Sequence, residues 1–383
     1  MKKIFVPFVL LIALSACKKS GHNEQGFNRS KADSLTRLLK KYVSRGIPGA
    51  VIAVKDGNGS WAGAEGFANL EDQTRMSTSM LQYGFSITKM VTAVAIMQLK
   101  EKGQIDLDQP VKNYLPASLQ DILPNTDAVT VRMLLNHTSG YSDYARLDEF
   151  RESWILDPVS VRPRAFYLDM MKNFVTSSFT PGTDYLYSNT NFYLLALIID
   201  KITGKPHGEW FKKQIFEKLQ IQQTFYKNSP GYPAYSLPNV YWPGLLGTDL
   251  ENITVSQQAW AKSEEYGATG LIASPQDFIR LLEGLNKGEL VSPASLNEMR
   301  QWVKGSNSQE PEYGLGLGFW GYKGRANYGH DGDGIGATIE LLYFPTSNTY
   351  VLAAANASTE FGGEIAGHLL NFRNEIGEYL AGF

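Results

Sequence analysis

Apolar residues along the chain follow two periods. Leu35, Leu38, Leu39, Tyr42 and Val43 recur three and four residues apart and Gly46 follows, which predicts an amphipathic helix packed on a sheet. Ala50 to Val54, the turn cluster Asp56-Gly57-Asn58-Gly59 and Ser60 to Ala64 read as run, turn and run, a β-hairpin. Toward the other end, Thr338 to Phe344 and Tyr350 to Ala355 bracket the turn residues Pro345 to Asn348, and a periodic stretch from Glu364 to Leu380 predicts a closing helix. Between these ends, helical runs such as Val91 to Leu99 and Phe192 to Ile202 dominate, broken by Pro- and Gly-rich loops. The pattern predicts an α/β (α+β) protein. An antiparallel sheet flanked by helices comes from both ends of the chain (about 31–84 and 265–383), with a helical lobe (about 85–264) inserted between.

The first residues follow a different logic. Lys2 and Lys3 precede an apolar run from Ile4 to Ala16, shorter than the roughly 20 residues a membrane-spanning helix needs, so residues 1–16 read as a signal peptide. The run ends Leu14-Ser15-Ala16-Cys17, which resembles the lipobox of bacterial lipoproteins and implies a lipidated Cys17. An uncleaved apolar anchor is the alternative. Residues 17–30 then form a polar tether, with the catalytic domain over 31–383. The expected location is the bacterial cell envelope, lipid-anchored, periplasmic or outer-membrane-associated.

Composition narrows the function. With 383 residues, 43% hydrophobic and 19% charged, the chain has ample material for a core. Thirty-six Lys and Arg against 38 Asp and Glu give a net charge of -2 without a basic stripe, which argues against a nucleic-acid partner. A single Cys excludes internal disulfides and multi-cysteine zinc sites. The five His are widely spaced and no HExxH occurs, so no metal and no cofactor is expected. The run Gly316-Leu317-Gly318-Phe319-Trp320-Gly321 satisfies a bare GxGxxG but precedes strand-like residues, unlike a dinucleotide site.

The candidate chemistry begins with an isolated charge. Between Arg75 and Lys100, Lys89 alone carries charge, in the apolar run Met90 to Leu99. A buried ammonium is costly unless paired or its pKa falls, which makes such a Lys a candidate base. Ser86 lies three residues earlier on the same helix face, where its Oγ reaches Lys89 Nζ and the free N–H groups of a helix start face developing negative charge. A second Ser-x-x-Lys, Ser15 to Lys18, straddles the cleavage point, so context selects Ser86. Farther on, Thr180-Pro181-Gly182-Thr183 leads to Tyr187-Ser188-Asn189 before an apolar helix. Tyr187, its phenol eased toward ionisation by nearby cations, is placed to relay the Ser86 proton and the Asn189 amide to bind a substrate carbonyl; helix capping is the plainer alternative. Tyr226-Lys227-Asn228 has the same form but lacks the Pro-Gly lead. A third segment, Tyr328 to Gly336, is dense in Gly. There His330 is expected to present a partly cationic imidazole, and a strand-edge N–H near Asp333 to complete an oxyanion hole with that of Ser86. Asp331 and Asp333 put two carboxylates beside the cleft, unfavourable to a substrate's free carboxylate unless a cation compensates. His137, in a His-Thr-Ser-Gly loop, reads as a loop brace.

In order, Ser86-Ile87-Thr88-Lys89, Tyr187-Ser188-Asn189 and His330-Asp331-Gly332 resemble the three motifs of the serine β-lactamase and penicillin-binding-protein superfamily. The likeness is to its class C β-lactamase-like branch, with D-alanyl-D-alanine carboxypeptidases, D-aminopeptidases and family VIII carboxylesterases. Leu134 to Gly140 and Gly270 to Ser274 are similar to that branch as well. The resemblance implies a β-lactamase/transpeptidase-like fold, Ser86 as acylated nucleophile, and Lys89 and Tyr187 sharing the base role. Asn189, His330, Gly332 and Asp333 would line the substrate cleft. The implied activity is that of a metal-free serine hydrolase acting on small-molecule or peptide substrates, cell-wall peptides among them, as a carboxypeptidase or D-amino-acid peptidase/amidase. A carboxylesterase or weak class C-like β-lactamase is the alternative, and a surface binding protein without turnover is the alternative of another class. His330 stands where class C β-lactamases usually carry Lys, which lowers the expectation of β-lactam turnover.

Overall fold

The computed structural model describes residues 21–23, 26–227, 236–244, 249–359 and 363–383. The apolar leader and Cys17 lie outside these residues, as does Asn228.

The two ends of the chain build one antiparallel sheet. Its strand order is Gly21–Asn23, Gly59–Asn69, Gly49–Asp56, Thr349–Ala355, Thr338–Phe344, Arg325–Asp333 and Gly318–Tyr322. The N-terminal hairpin joins the C-terminal strands by pairing Gly49–Asp56 with Thr349–Ala355, from Lys55 opposite Tyr350 to Ala50 opposite Ala355. Both central strands are buried on both faces, as expected for a sheet covered by helices on each side. One face carries helices Arg29–Val43 and Gly363–Leu380, where Leu35, Leu39, Tyr42, Leu369, Phe372 and Ile376 pack on Ile52, Val54, Leu342 and Val351. The other face meets helix Pro275–Asn286 and the helical lobe.

Through that lobe runs helix Ile87–Glu101, in which every residue from Ile87 to Leu99 is buried. Such a helix has no solvent face, so its position is set by packing on all sides, at about 1.5–3 kcal/mol for each large apolar side chain. It packs against helix Asn189–Thr203, whose residues Thr190 to Ile199 are likewise buried. Among the described residues no helix is long and apolar enough to cross a membrane.

Glycine brings the sheet edge to the start of the central helix. A Cβ on Gly332 would lie 2.6 Å from Gly84 O, and one on Gly334 would lie 2.2 Å from the Phe85 ring. These glycines thus allow a close approach to the Gly84 backbone and the Phe85 ring. Phe85 itself has φ +41°, a costly conformation for a non-glycine residue, at the point where strand Gln82–Phe85 turns into the helix.

The end of the Arg325–Asp333 strand is secured by an ion cluster around a buried arginine. Arg373, on the last helix, donates to Asp331 Oδ2 at 2.7 Å and to Asp333 Oδ1 at 3.1 Å, and its Nε lies 3.6 Å from Glu340 Oε1. Burial pushes the Glu340 carboxyl up to about 7, and the adjacent acids hold the Arg373 guanidinium firmly charged. Replacing Arg373 with Met leaves three carboxyls without their cation. We expect a loss of about 3–5 kcal/mol of stability, read as a lower urea midpoint at unchanged slope.

Candidate active site

Ser86 is the N-cap of the central helix, yet its side chain makes no capping hydrogen bond. The hydroxyl is instead engaged by Lys89, whose Nζ lies 2.9 Å from Ser86 Oγ, 2.6 Å from Asn189 Oδ1 and 3.2 Å from Ala268 O. Lys89 is completely buried, and burial, the largest influence, lowers its pKa to about 8 against the opposing pull of Asp143, Glu265 and Asp331. The three partners differ in kind. Asn189 Oδ1 and Ala268 O can only accept, so the two hydrogens of a neutral amine go to them and its lone pair is left facing the Ser86 hydroxyl. Asn189 is fixed in this orientation because its Nδ2 donates to Asp143 Oδ2 at 3.1 Å.

The Tyr187 ring covers the Lys89 ammonium, with Nζ 4.9 Å from its centroid, and its hydroxyl hydrogen-bonds Ser86. The expected easing of its ionisation is reversed. Burial, opposed by the Ser86 hydrogen bond and reinforced by Asp331 and Asp143, holds the phenol well above its usual pKa, hence neutral. Ser188 occupies the N-cap of helix Asn189–Thr203, but its hydroxyl donates to Ser142 O rather than capping the helix.

His330 also differs from expectation. Its ring is 1% exposed and lies behind the cavity wall. Nδ1 lies 2.6 Å from Asp331 O, which can only accept, so Nδ1 carries the hydrogen and Nε2 accepts from the Tyr313 hydroxyl at 2.6 Å. Burial lowers its pKa to about 4, so the imidazole is neutral rather than partly cationic. Ser86, Tyr187, Asn189, Gly332 and Asp333 all line a cavity of about 710 Å³, and Lys89 lies directly beneath it. The carboxylate repulsion expected of Asp331 and Asp333 is partly met by Arg373, a cation from a helix distant in sequence. Among the described residues no group of three His, Cys, Asp or Glu side chains is disposed to hold a metal ion.

Other residues carried no clear sequence signal. Asp143 and Glu265 are buried carboxyl groups of the cavity wall, and Gln257 and Trp260 reach it from one face of helix Thr254–Lys262. The role of His137 was foreseen only in outline. Its Nδ1 accepts from Ser188 N at 3.2 Å and faces Asn191 Nδ2 at 3.1 Å, while its ring packs on Tyr187 with centroids 4.4 Å apart. Burial lowers its pKa far below the usual range, so it stays a neutral acceptor.

Fold and site together are those of the serine β-lactamase fold. The chain belongs to the Beta-lactamase family, which it matches over residues 35–371. It is 28% identical over 294 residues to Penicillin-binding protein 4* of Bacillus subtilis (strain 168), a match covering 70% of this chain and 58% of that relative, little more than half its length. Among solved structures it resembles a D-stereospecific amidohydrolase from Streptomyces sp. at 26% identity and TM-score 0.74, over 88% of this chain and 97% of that one. It also shares the fold of the D-amino acid amidase from Ochrobactrum anthropi SV3 at 22% identity and TM-score 0.78, over 92% and 97% of the two chains.

His137→Leu removes the acceptor for two buried donors and the ring beneath Tyr187. We expect a cost of about 1–3 kcal/mol in thermal unfolding and at least about tenfold slower labelling of Ser86 by a fluorophosphonate. His137→Asn should recover much of both, since Asn Oδ1 approximates the position of Nδ1 and Asn tolerates the backbone φ of +62°.

Proposed function

We propose that the protein is a serine hydrolase that forms an acyl-enzyme on Ser86, acting on amides or peptides of D-amino acids. The observation that carries this reading is the lone pair of a desolvated Lys89 directed at a hydroxyl that does not cap its helix and that Tyr187 also hydrogen-bonds. In acylation, Ser86 Oγ bonds to the substrate carbonyl carbon and its proton passes to Lys89 Nζ. Negative charge on the carbonyl oxygen is stabilised by the backbone N–H groups of Ser86 and Asp333. As the C–N bond breaks, the leaving amine takes a proton from the Tyr187 hydroxyl, which recovers one from Lys89. Water then attacks the acyl carbon by the reverse route and frees Ser86. Tyr187, held neutral, suits a proton donor, and Lys89 suits the acceptor. His330, neutral and behind the wall, acts by holding Asp331 and Tyr313 in place.

The choice of D-amino-acid amides and peptides is supported by likeness to the D-stereospecific amidohydrolase and the D-amino acid amidase. The complete Ser86, Lys89 and Tyr187 arrangement weighs against a binding protein without turnover. Ester and β-lactam carbonyls are open to the same attack, and the cavity wall decides among them. The proposal keeps the cell-envelope location, with a lipid on Cys17.

Ser86→Ala should abolish fluorophosphonate labelling and turnover, and Lys89→Ala should slow labelling at least about a hundredfold. Since Lys89 accepts a proton only when neutral, the wild-type labelling rate should rise with pH toward a plateau, with an apparent pKa of about 8. A rate independent of pH from 6 to 9 would remove Lys89 from the base role. For the anchor, full-length protein should partition into detergent and Cys17→Ala should remain in the aqueous phase.

A further inference from the structure

The charges around the cavity are sorted by depth. Arg146 and Arg151 stand exposed at its mouth, Arg146 with its Nε 3.8 Å from Asp143 Oδ2, while Glu265, Asp331 and Asp333 form its inner wall. Glu265, 1% exposed, accepts from Tyr144 Oη at 2.8 Å, Trp260 Nε1 at 2.7 Å and Thr269 Oγ1 at 3.0 Å, all neutral donors. Elsewhere on the wall one guanidinium, Arg373, serves Asp331, Asp333 and Glu340, and Lys89 beneath the cavity is attracted by Asp143, Glu265 and Asp331, so the acids outnumber the two buried cations beside them. The Asp331 side chain is about one-third exposed (34%), and Asp331 lines the cavity.

A second observation is independent of charge. Gln257 lines the same cavity and is only 5% exposed, yet its amide oxygen has no hydrogen-bond partner. A buried acceptor without a donor costs about 1–3 kcal/mol, and a ligand carrying N–H groups recovers that cost. Both observations call for the same complement: a compact group with several donors and positive charge. A carboxylate in that position would face like charge, and an acylated nitrogen would bring one donor and no charge. The apolar walls, Phe150, Trp154 and Trp260 among them, suit a bulky side chain next to such a group. The exposed Arg151 guanidinium repels an ammonium at the mouth and so favours its inward orientation.

We propose that this cavity recognises the free ammonium of the acyl donor, so that its substrates are amides of amino acids with an unblocked amine and an apolar side chain, and N-acylated counterparts are rejected. This deepens the hydrolase reading and rests on it, since it takes the cavity over Ser86 to be the substrate site.

The test separates recognition from chemistry. Ser86→Ala binds without reacting, so titration calorimetry of that variant with D-phenylalanine amide and with N-acetyl-D-phenylalanine amide reads recognition alone. The free amine should bind at least tenfold more tightly. Adding Asp331→Asn or Glu265→Gln to the Ser86→Ala protein should each shrink that ratio at least threefold, and two sites are used so that a misfolded variant at one leaves the other to decide. Equal affinities, tighter binding of the acetylated compound, no binding of either, or a ratio indifferent to both substitutions would overturn the proposal. Fluorophosphonate labelling of wild-type Ser86 is scored separately: its failure would sink the acyl-enzyme reading, whereas a lost amine preference with labelling intact would sink only this one.

Discussion

One dry ammonium organises the site. Lys89 sits at the junction of three pieces of chain: the central helix that carries it, the start of helix Asn189–Thr203 and the loop at Ala268, and each supplies one of its acceptors. A buried charge is tolerated only when its hydrogens are satisfied, and here satisfaction needs all three pieces in place. The packing that completes the fold is therefore the same event that desolvates the amine and lowers its pKa. A hydrophobic residue at this position would relieve the cost of burial and remove the amine whose lone pair meets Ser86.

The surrounding polar groups keep that amine from being neutralised in the wrong way. Asp143 does not touch Lys89; it holds the Asn189 amide, which in turn accepts from Lys89. Placing an amide between carboxyl and amine retains directionality without a direct ion pair, which would pull the lysine pKa back up. Tyr187 and His137 complete the arrangement as neutral rings, one over the ammonium and the other beneath the first. The His-Thr-Ser-Gly loop also supports this segment through its backbone: Leu186 N donates to His137 O at 2.9 Å and Gly182 N to Thr138 O at 2.8 Å.

Much of this was legible in the sequence because it depended on local pattern. The hairpin Gly49–Asp56 with Gly59–Asn69, the strand Thr338–Phe344 and the central helix follow from period and turn residues, and the isolation of Lys89 in an apolar run announced its burial. Protonation states were not legible in the same way. Cations near Tyr187 suggested an acidic phenol, and Gly-rich surroundings suggested an accessible His330; in both cases the unseen quantity was desolvation, which depends on what packs from elsewhere in the chain. Arg373 was missed for a related reason. It lies 33 to 42 residues from its acidic partners, on a helix whose period reports only its apolar face.

Lys227 shows why burial by itself does not make a base. Its amine, like that of Lys89, is desolvated and its pKa is lowered to about 8. Its Nζ, however, donates to Ser263 O at 2.7 Å, and its aliphatic stem packs where a Cβ on Gly270 would fall. A backbone carbonyl has no proton to give, so deprotonating Lys227 yields a lone pair without a reaction partner. The two lysines share a cause and a magnitude of pKa shift and differ in what the nitrogen faces. On the proposed mechanism, reactivity is thus decided by the identity of one neighbouring oxygen, a hydroxyl on the preceding turn of the helix, and the shift only makes that neighbour usable near neutral pH.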